Sequence, residues 1–475
     1  MSKGIQLLTV ICVALSAVSN SIAGSSDEYF TNSALRLDYY HTGTSEFEHI
    51  SLDRVRIEGP WPGSRTQLLD DTNLGKYRFE VVDLATNRVV YSRGFASIYG
   101  EWETTGEAAI GVVRSIPEAI RFPEPRNPVQ VRIYKRGGNQ LFRELWTTSI
   151  DPSSRFVHRA KVGQYKVSPI VENGDPSTKV DVVILGDGYT RDEMGKYHAD
   201  AEKAAEDLFA NEPFASRKGD FNVWAVESPA AESGISRPRS GMYRETPLGA
   251  SYNTFDSERY VLTLNDRNWR DVAAAAPYDF VLILVNSEKY GGGGIFNLYS
   301  TAASDSGFRR YLVVHEFGHH FAGLGDEYYT SSVAYEDFHG DRVEPWEPNI
   351  TALLDPDNLK WTDLVEEGTP LPTPWQKKEF EEYSLSYQKR RGKLREQGAP
   401  EKEMEKLFRE AQERFTEMLG AEEYAGKIGA FEGASYEPTG LYRPRADCIM
   451  FTRDEVGFCQ VCSRAIGRII DLYSE

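Results

Sequence analysis

The sequence predicts a multidomain α+β protein. It has an N-terminal β-sandwich over residues 24–165, then an α/β domain over 166–475 that carries a helical hairpin at 376–420. Three patterns predict this. Short runs with partial period-two alternation, separated by Gly, Pro, Asn and Asp, fill the first stretch. Beyond about residue 170, dense apolar strands alternate with helical spacing, the pattern of a mostly parallel sheet. Farther on, two charged stretches with apolar stripes flank Gly398-Ala399-Pro400. The 475 residues suit roughly two to three domains at ~100–200 residues each. With 40 % hydrophobic and 27 % charged residues, the composition is globular.

The first 23 residues read as a secretory leader. Lys3 supplies the positive start, Ile5 to Val18 the apolar centre, and Ser21-Ile22-Ala23 the small residues of a cleavage site. Cys12 has no lipobox before it, so a lipoprotein is not expected. The mature chain is then secreted or periplasmic. Its net charge moves from -18 to -19 on loss of Lys3. No basic patch of nucleic-acid-binding density occurs, so DNA or RNA is not an expected partner. Past residue 20 no apolar run approaches the ~20 residues of a membrane span.

In the first domain the expected strands are Ala34–Tyr40, Tyr77–Val82, Arg88–Tyr91, Val129–Tyr134 and Leu141–Thr148. The second opens with Val180 to Leu185, closed by Gly186-Asp187-Gly188. A helical stretch follows, with Met194, His198, Ala201 and Ala205 on one face. Phe221–Val226 and Asp279–Asn286 are further strands. In the hairpin, Met404, Leu407, Phe408, Ala411, Phe415 and Leu419 form one stripe. Phe380, Tyr383, Tyr387 and Leu394 form the other, and both face the body.

The chemistry sits in His315-Glu316-Phe317-Gly318-His319-His320. On a helix, His315 and His319 share a face one turn apart and can close on one metal ion, with zinc the fitting choice. Glu316, beside the first histidine, is placed to act as a general base toward water. His320 points about 100° away around the helix and is not expected to bind the ion. Phe308 to Ala322 contains no proline and one glycine, and Gly323 with Gly325 stops the helix. The chain then turns back with two acids. Asp326 is the expected third ligand, with Glu327 or a distant residue as alternatives. The three mature cysteines, Cys448, Cys459 and Cys462, cluster near the C-terminus. In an oxidising compartment two of them are expected to pair, in any of three ways. A Cys-x-x-Cys zinc knuckle competes with that pairing, but the local sequence offers no fourth ligand.

The stretch His315 to Tyr328 resembles the zinc motif of the bacterial IgA-peptidase family of metalloendopeptidases. Several other segments resemble the same family. They are Ile184 to Thr190, Glu232-Ser233-Gly234-Ile235-Ser236, Pro277-Tyr278-Asp279, Phe431 to Ala434, Tyr442-Arg443-Pro444, Cys448-Ile449-Met450 and Phe458 to Cys462. The resemblance spans about residues 170 to 470, together with the family's N-terminal β domain. It implies a secreted, metzincin-like zinc endopeptidase with one catalytic Zn2+ and a protein or peptide substrate. It does not imply that immunoglobulin A is that substrate. It makes Met450 a candidate Met-turn residue and Tyr290 to Asn297 a candidate substrate-binding edge strand, where a glycine run lets backbone approach closely. Tyr328, Tyr329, Tyr436 and Arg443 are candidate oxyanion donors. Two rivals stand beside this reading. One is a secreted binding or adhesion protein on a degenerate peptidase scaffold, which the intact His315, Glu316 and His319 argue against. The other is a zinc hydrolase of small amides.

Overall fold

The computed structural model describes residues 26–161, 163–330 and 343–474. The leader at 1–23 lies outside the described residues. The first unit is built from β1 (Phe30–Gly43), β2 (Glu48–Pro60), β3 (Tyr77–Asp83), β4 (Arg88–Phe95), β5 (Arg114–Pro125), β6 (Val129–Arg136), β7 (Phe142–Ile150) and the short β8 (Val157–His158). They form two four-stranded sheets, ordered β5-β1-β2-β8 and β4-β3-β6-β7. Leu35 and Leu37 of the first sheet share one core with Phe79, Val81, Val131 and Ile133 of the second.

Two long strands escape the sequence reading, each for a physical reason. β5 contains Pro117 and Pro123, and it lies at the sheet edge, where a missing N–H costs no ladder bond. β2 interleaves Leu52, Val55 and Ile57 with charged residues. Its register against β1 shifts between Asp38 and Tyr39, which breaks the two-residue period.

The second unit holds β9 (Val167–Val171), β10 (Val180–Asp187), β11 (Phe221–Val226), the ribbon β12 (Ala250–Ser251) with β13 (Leu262–Thr263), β14 (Phe280–Val285), β15 (Gly292–Ile295), β16 (Tyr299–Ala303), and the ribbon β17 (Phe431–Ala434) with β18 (Glu437–Arg443). Its six-stranded sheet runs β15-β16-β14-β10-β11-β9. The four central strands are parallel, and the edge strands β9 and β15 are antiparallel to their neighbours. β10 and β14 are buried along their whole length, which is why they read as continuous apolar runs.

The helix Arg309–Ala322 packs under this sheet. Phe317 and Phe321 join Phe214 and Phe280 in an aromatic cluster, with Phe280 and Phe321 centred 4.4 Å apart. The C-terminal helix Gln460–Tyr473 covers the same core. Two helices, Lys377–Glu396 and Glu401–Gly420, form the hairpin. All six residues of the Met404 stripe are buried, as are Phe380 and Tyr387, while Tyr383 and Leu394 are half-buried. Phe380 stacks on Phe451 at 5.0 Å and Phe408 meets Tyr290 edge-on at 5.1 Å.

The two units are joined by more than the chain. Arg36 pairs with Asp271 at 2.6 Å, and Arg121 donates to the Tyr278 carbonyl at 2.8 Å. The Ala96 N–H donates to the Phe296 carbonyl at 2.9 Å, and Asn297 Nδ2 donates to the Gly94 carbonyl at 2.9 Å. These last two bonds tie the end of β4 to the loop that follows β15.

Candidate active site

Helical spacing brings His315 and His319 together as expected of residues four apart, with their Nε2 atoms 3.1 Å from each other. Each ring is held from behind by a backbone carbonyl. His315 Nδ1–H donates to Ile449 at 3.0 Å, and His319 Nδ1–H donates to Leu324 at 2.5 Å. Both rings therefore present Nε2 as a lone pair to the same point. Tyr311 stacks on His315 at 4.9 Å and fixes its plane.

The helix ends at Gly323, whose φ of 61° is the left-handed conformation that glycine takes without a Cβ penalty. The chain reverses there, and residues 324–329 pass the imidazoles without forming helix or strand. Asp326 Oδ1 stands 3.2 Å from His315 Nε2 and 3.2 Å from His319 Nε2. This oxygen is buried and has no hydrogen-bond partner. Its twin, Oδ2, accepts a hydrogen bond from the Tyr436 hydroxyl. Burial alone would raise the Asp326 carboxyl. Set against burial, the charge of a protonated His319 facing it draws the carboxyl well below the carboxylate range.

The three facing atoms thus form a triangle with sides of 3.1, 3.2 and 3.2 Å. Ligands bonded at about 2.0–2.1 Å to a tetrahedral zinc lie about 3.3 Å apart. The donor set and the orphaned oxygen both fit a divalent ion with one open position. Glu316 lies beside them, with a carboxylate oxygen within 4.8 Å of ligand atoms of both histidines. Burial raises the Glu316 carboxyl above its ordinary range, against the opposing charges of His315 and His319.

His320 is placed elsewhere. Its Nε2 accepts the Val281 N–H at 3.0 Å, its Nδ1–H donates to Ile295 at 3.1 Å, and burial lowers its pKa to about 3. It is a neutral clamp between the helix and the sheet. Met450 is fully buried in a turn closed by Phe451 N–H to the Cys448 carbonyl at 2.8 Å. The carbonyl before it holds His315, and its own carbonyl accepts the Glu327 N–H at 2.8 Å.

Glu327, the alternative third ligand, faces away from the imidazoles. The two neighbouring carboxylates make contacts on different sides of the chain. Asp326 meets the histidines and Glu327 meets the cysteines. The expected disulfide is absent. Cys448, Cys459 and Cys462 are free and buried, with Sγ of Cys462 3.9 Å from that of Cys448 and 3.6 Å from that of Cys459. A disulfide needs about 2.05 Å. The three thiols converge from a turn and a helix start onto a common centre, so no two of them are drawn into a bonded pair.

The site opens into a cleft of about 1090 Å³, measured out to its open mouth. Of the four oxyanion candidates, Tyr328 and Tyr436 line it. Tyr329 instead stacks on Phe451, and the Arg443 guanidinium is buried, donating to the Gly433 carbonyl at 2.8 Å. Arg259, which no motif marks, also lines the cleft and donates to the Tyr328 hydroxyl at 2.8 Å. Gly292 and Gly294 of β15 form one wall. A Cβ on Gly294 would sit 2.1 Å from the Glu316 carbonyl oxygen, so only glycine lets this strand lie on the helix. Lys76, Ser97, Gly100 and Glu101 of the first unit form part of the rim. Asn349 is a further residue that no local pattern flags. It bonds both the N–H and the carbonyl of Gly325 and donates to Glu327 at 2.9 Å.

Two family models match the chain. IgA peptidase M64 covers residues 168–470, and the peptidase M64 N-terminus covers residues 25–147. The chain belongs to the IgA peptidase M64 family. It is therefore a peptidase, with protein as its substrate class, and peptidases of this family are generally metallopeptidases. A search of curated proteins finds no match. The two-model match also accords with a multidomain α+β chain. Among the described residues, no helix is long and apolar enough to cross a membrane.

Proposed function

We propose that this M64 peptidase is an exported, zinc-dependent endopeptidase with His315, His319 and Asp326 as the ligands of its one catalytic ion. The observation that carries this reading is the near-equilateral triangle of Nε2, Nε2 and Oδ1, with the oxygen otherwise unpartnered. A zinc ion bound there supplies Lewis-acid activation of water and of the scissile carbonyl. The protein's own groups do the rest. The backbone carbonyls of Ile449 and Leu324 hold both imidazoles in the tautomer that frees Nε2. Tyr436 orients Asp326 through Oδ2. The Glu316 carboxylate takes a proton from the attacking water and delivers it to the leaving amine nitrogen. Its burial-raised affinity for protons brings it nearer the operating pH, where a general base is most effective. The Tyr328 hydroxyl, polarised by Arg259, faces the cleft as a hydrogen-bond donor to the developing oxyanion.

Substrate enters extended along the antiparallel edge strand β15, as in metzincin-like sites. The Ile449–Met450 turn beneath the helix takes the place of their Met-turn. Export rests on the leader at residues 1–23, and recovery of a mature chain starting near Gly24 outside the cytoplasm tests it. The test of the chemistry is Glu316→Gln. This variant keeps its bound metal and loses peptide hydrolysis by about 10²–10⁴-fold, the usual range for a general base. Hydrolysis at the wild-type rate removes Glu316 from its role. Metal-free protein that still docks to peptides would favour a binding protein on a peptidase scaffold.

A further inference from the structure

One residue after the triangle closes, a second group of metal-ligating side chains comes together that the reaction does not use. Glu327, Cys448, Cys459 and Cys462 each offer one ligand atom, and all four atoms lie within 4.8 Å of one another. All four residues have 0 % exposure. We propose that these four residues hold a second, structural metal ion of the zinc class, distinct from the ion at His315, His319 and Asp326.

The spacings fit this ion and not the alternatives. With Zn–S of about 2.3 Å and Zn–O of about 2.0 Å, a tetrahedron has S···S edges of about 3.8 Å and S···O edges of about 3.5 Å. The observed S···S distances are 3.9 and 3.6 Å, and Cys462 Sγ stands 3.5 Å from Glu327 Oε1. The local structure is that of a thiolate site. Cys459 is the N-cap of the C-terminal helix and Cys462 is in its first turn, where the helix dipole favours negative sulfur. The Cys459 N–H points at Cys448 Sγ at 3.4 Å, a backbone donor of the kind that steadies a coordinated thiolate.

Glu327 gives an independent observation. Its Oε1 accepts a hydrogen bond from Asn349 at 2.9 Å, while its Oε2 is buried with no hydrogen-bond partner. An unpartnered carboxylate oxygen is disfavoured in a dry interior unless a cation faces the group. Cys462 Sγ faces the other oxygen, Oε1, so the thiols by themselves leave Oε2 without a partner.

The ion would join three segments that are distant in sequence. They are the stretch of Asp326 and Glu327, the turn at Cys448, and the start of the last helix, with Glu327 and Cys462 lying 135 positions apart. Asp326 lies in the first of these segments, and Ile449, which orients His315, follows Cys448 in the second. The second ion therefore holds the catalytic ligands in register without touching substrate.

The experiment uses the full chain and the double variant His315→Ala/His319→Ala, whose cysteine cluster is intact. Metal content is measured by atomic emission. Cobalt-loaded protein is scanned for thiolate-to-cobalt charge-transfer bands, and the three C-terminal thiols are counted by alkylation after denaturation with and without chelator. The expected result is two ions per chain in the wild type and one in the variant. Charge-transfer bands persist in the variant, and all three thiols are alkylated only once the ion is chelated. A variant with no ion, or with two of these cysteines recovered as a disulfide, overturns the proposal while leaving the zinc-peptidase reading untouched. One ion in both proteins, with persistent thiolate bands, upholds it and overturns that reading instead.

Discussion

Replacing Gly294 by alanine tests whether the edge strand is clamped on the catalytic helix. An added Cβ lies 2.1 Å from the Glu316 carbonyl oxygen and 2.9 Å from His319 Cβ, roughly 1.3 Å short of the 3.4 Å at which ordinary contact begins. The nearest obstacle is helix backbone, which has no rotamer to change. β15 must therefore lift by about an ångström, or the helix must shift by as much. Overpacking of this kind costs about 1–3 kcal/mol. A displacement of about 1 Å among reacting groups costs about 10²-fold in rate. Gly294→Ala should thus lower kcat/KM by about 10²-fold and lower Tm as well, both read on purified protein with a quenched peptide and by thermal denaturation. Gly392→Ala is the control. Gly392 is exposed in the helix Lys377–Glu396 with nothing within 4 Å of its Cβ position. That change should stabilise by up to about 1 kcal/mol through helix propensity alone. Wild-type rate and stability in Gly294→Ala would refute the claim that glycine is there for closeness.

Three further outcomes follow from the geometry. Tyr436→Phe removes the hydroxyl that holds Asp326 Oδ2 and should weaken the catalytic ion's affinity about 10–100-fold, measured by competition with a chelating dye, with the fold unchanged. Asp326→Asn should release that ion far more readily than the wild type, whereas Glu327→Gln should spare it, and the reverse pattern would exchange their roles. His41 lies between Glu118 at 3.1 Å and Glu48 at 2.9 Å. Burial lowers its proton affinity, but the two carboxylates outweigh burial and raise its pKa above 6.5. Glu48 is likewise disfavoured by burial, yet its bonds to His41 and Lys135 lower its pKa to about 2. The His41 contribution is complete below pH 6.5 and is lost as pH rises through its raised value. The Glu48 contribution is complete above about 4.5 and is lost as pH falls toward 2. Denaturation curves of wild type and His41→Gln should therefore differ most between about pH 4.5 and 6.5 and converge on the alkaline side.

The helix with its two histidines was legible because one turn of α-helix fixes their relation whatever surrounds them. The apolar runs of β10 and β14 were legible for a similar reason, since strands buried on both faces are dense in Val, Ile and Leu even where β10 also carries Asp181 and Asp187. The hairpin stripes were equally plain. What escaped depends on contacts distant in sequence. Arg259 reaches Tyr328 and Asn349 reaches Gly325 only after the sheet and the loops are assembled. Asp326 and Glu327 looked like competitors for one position, because spacing cannot tell which side of the backbone faces the ion. The cysteines looked like a disulfide because their fourth partner comes from far upstream. The meaning of the glycine run of β15 depends on the helix that it lies against.

The first unit forms one jamb of the cleft. Ala96 and Gly94 are bonded directly to the loop after β15, and Lys76, Gly100 and Glu101 stand across from the imidazoles. This side of the opening is thereby supplied by the first unit, through Lys76 of its sheet region and the segment that follows β4. The chain that is cut must therefore pass between the first unit and the imidazoles, and side chains of both units meet it there. Grafting the β4 end and the segment after it from a sibling peptidase would be the shortest route to a changed menu.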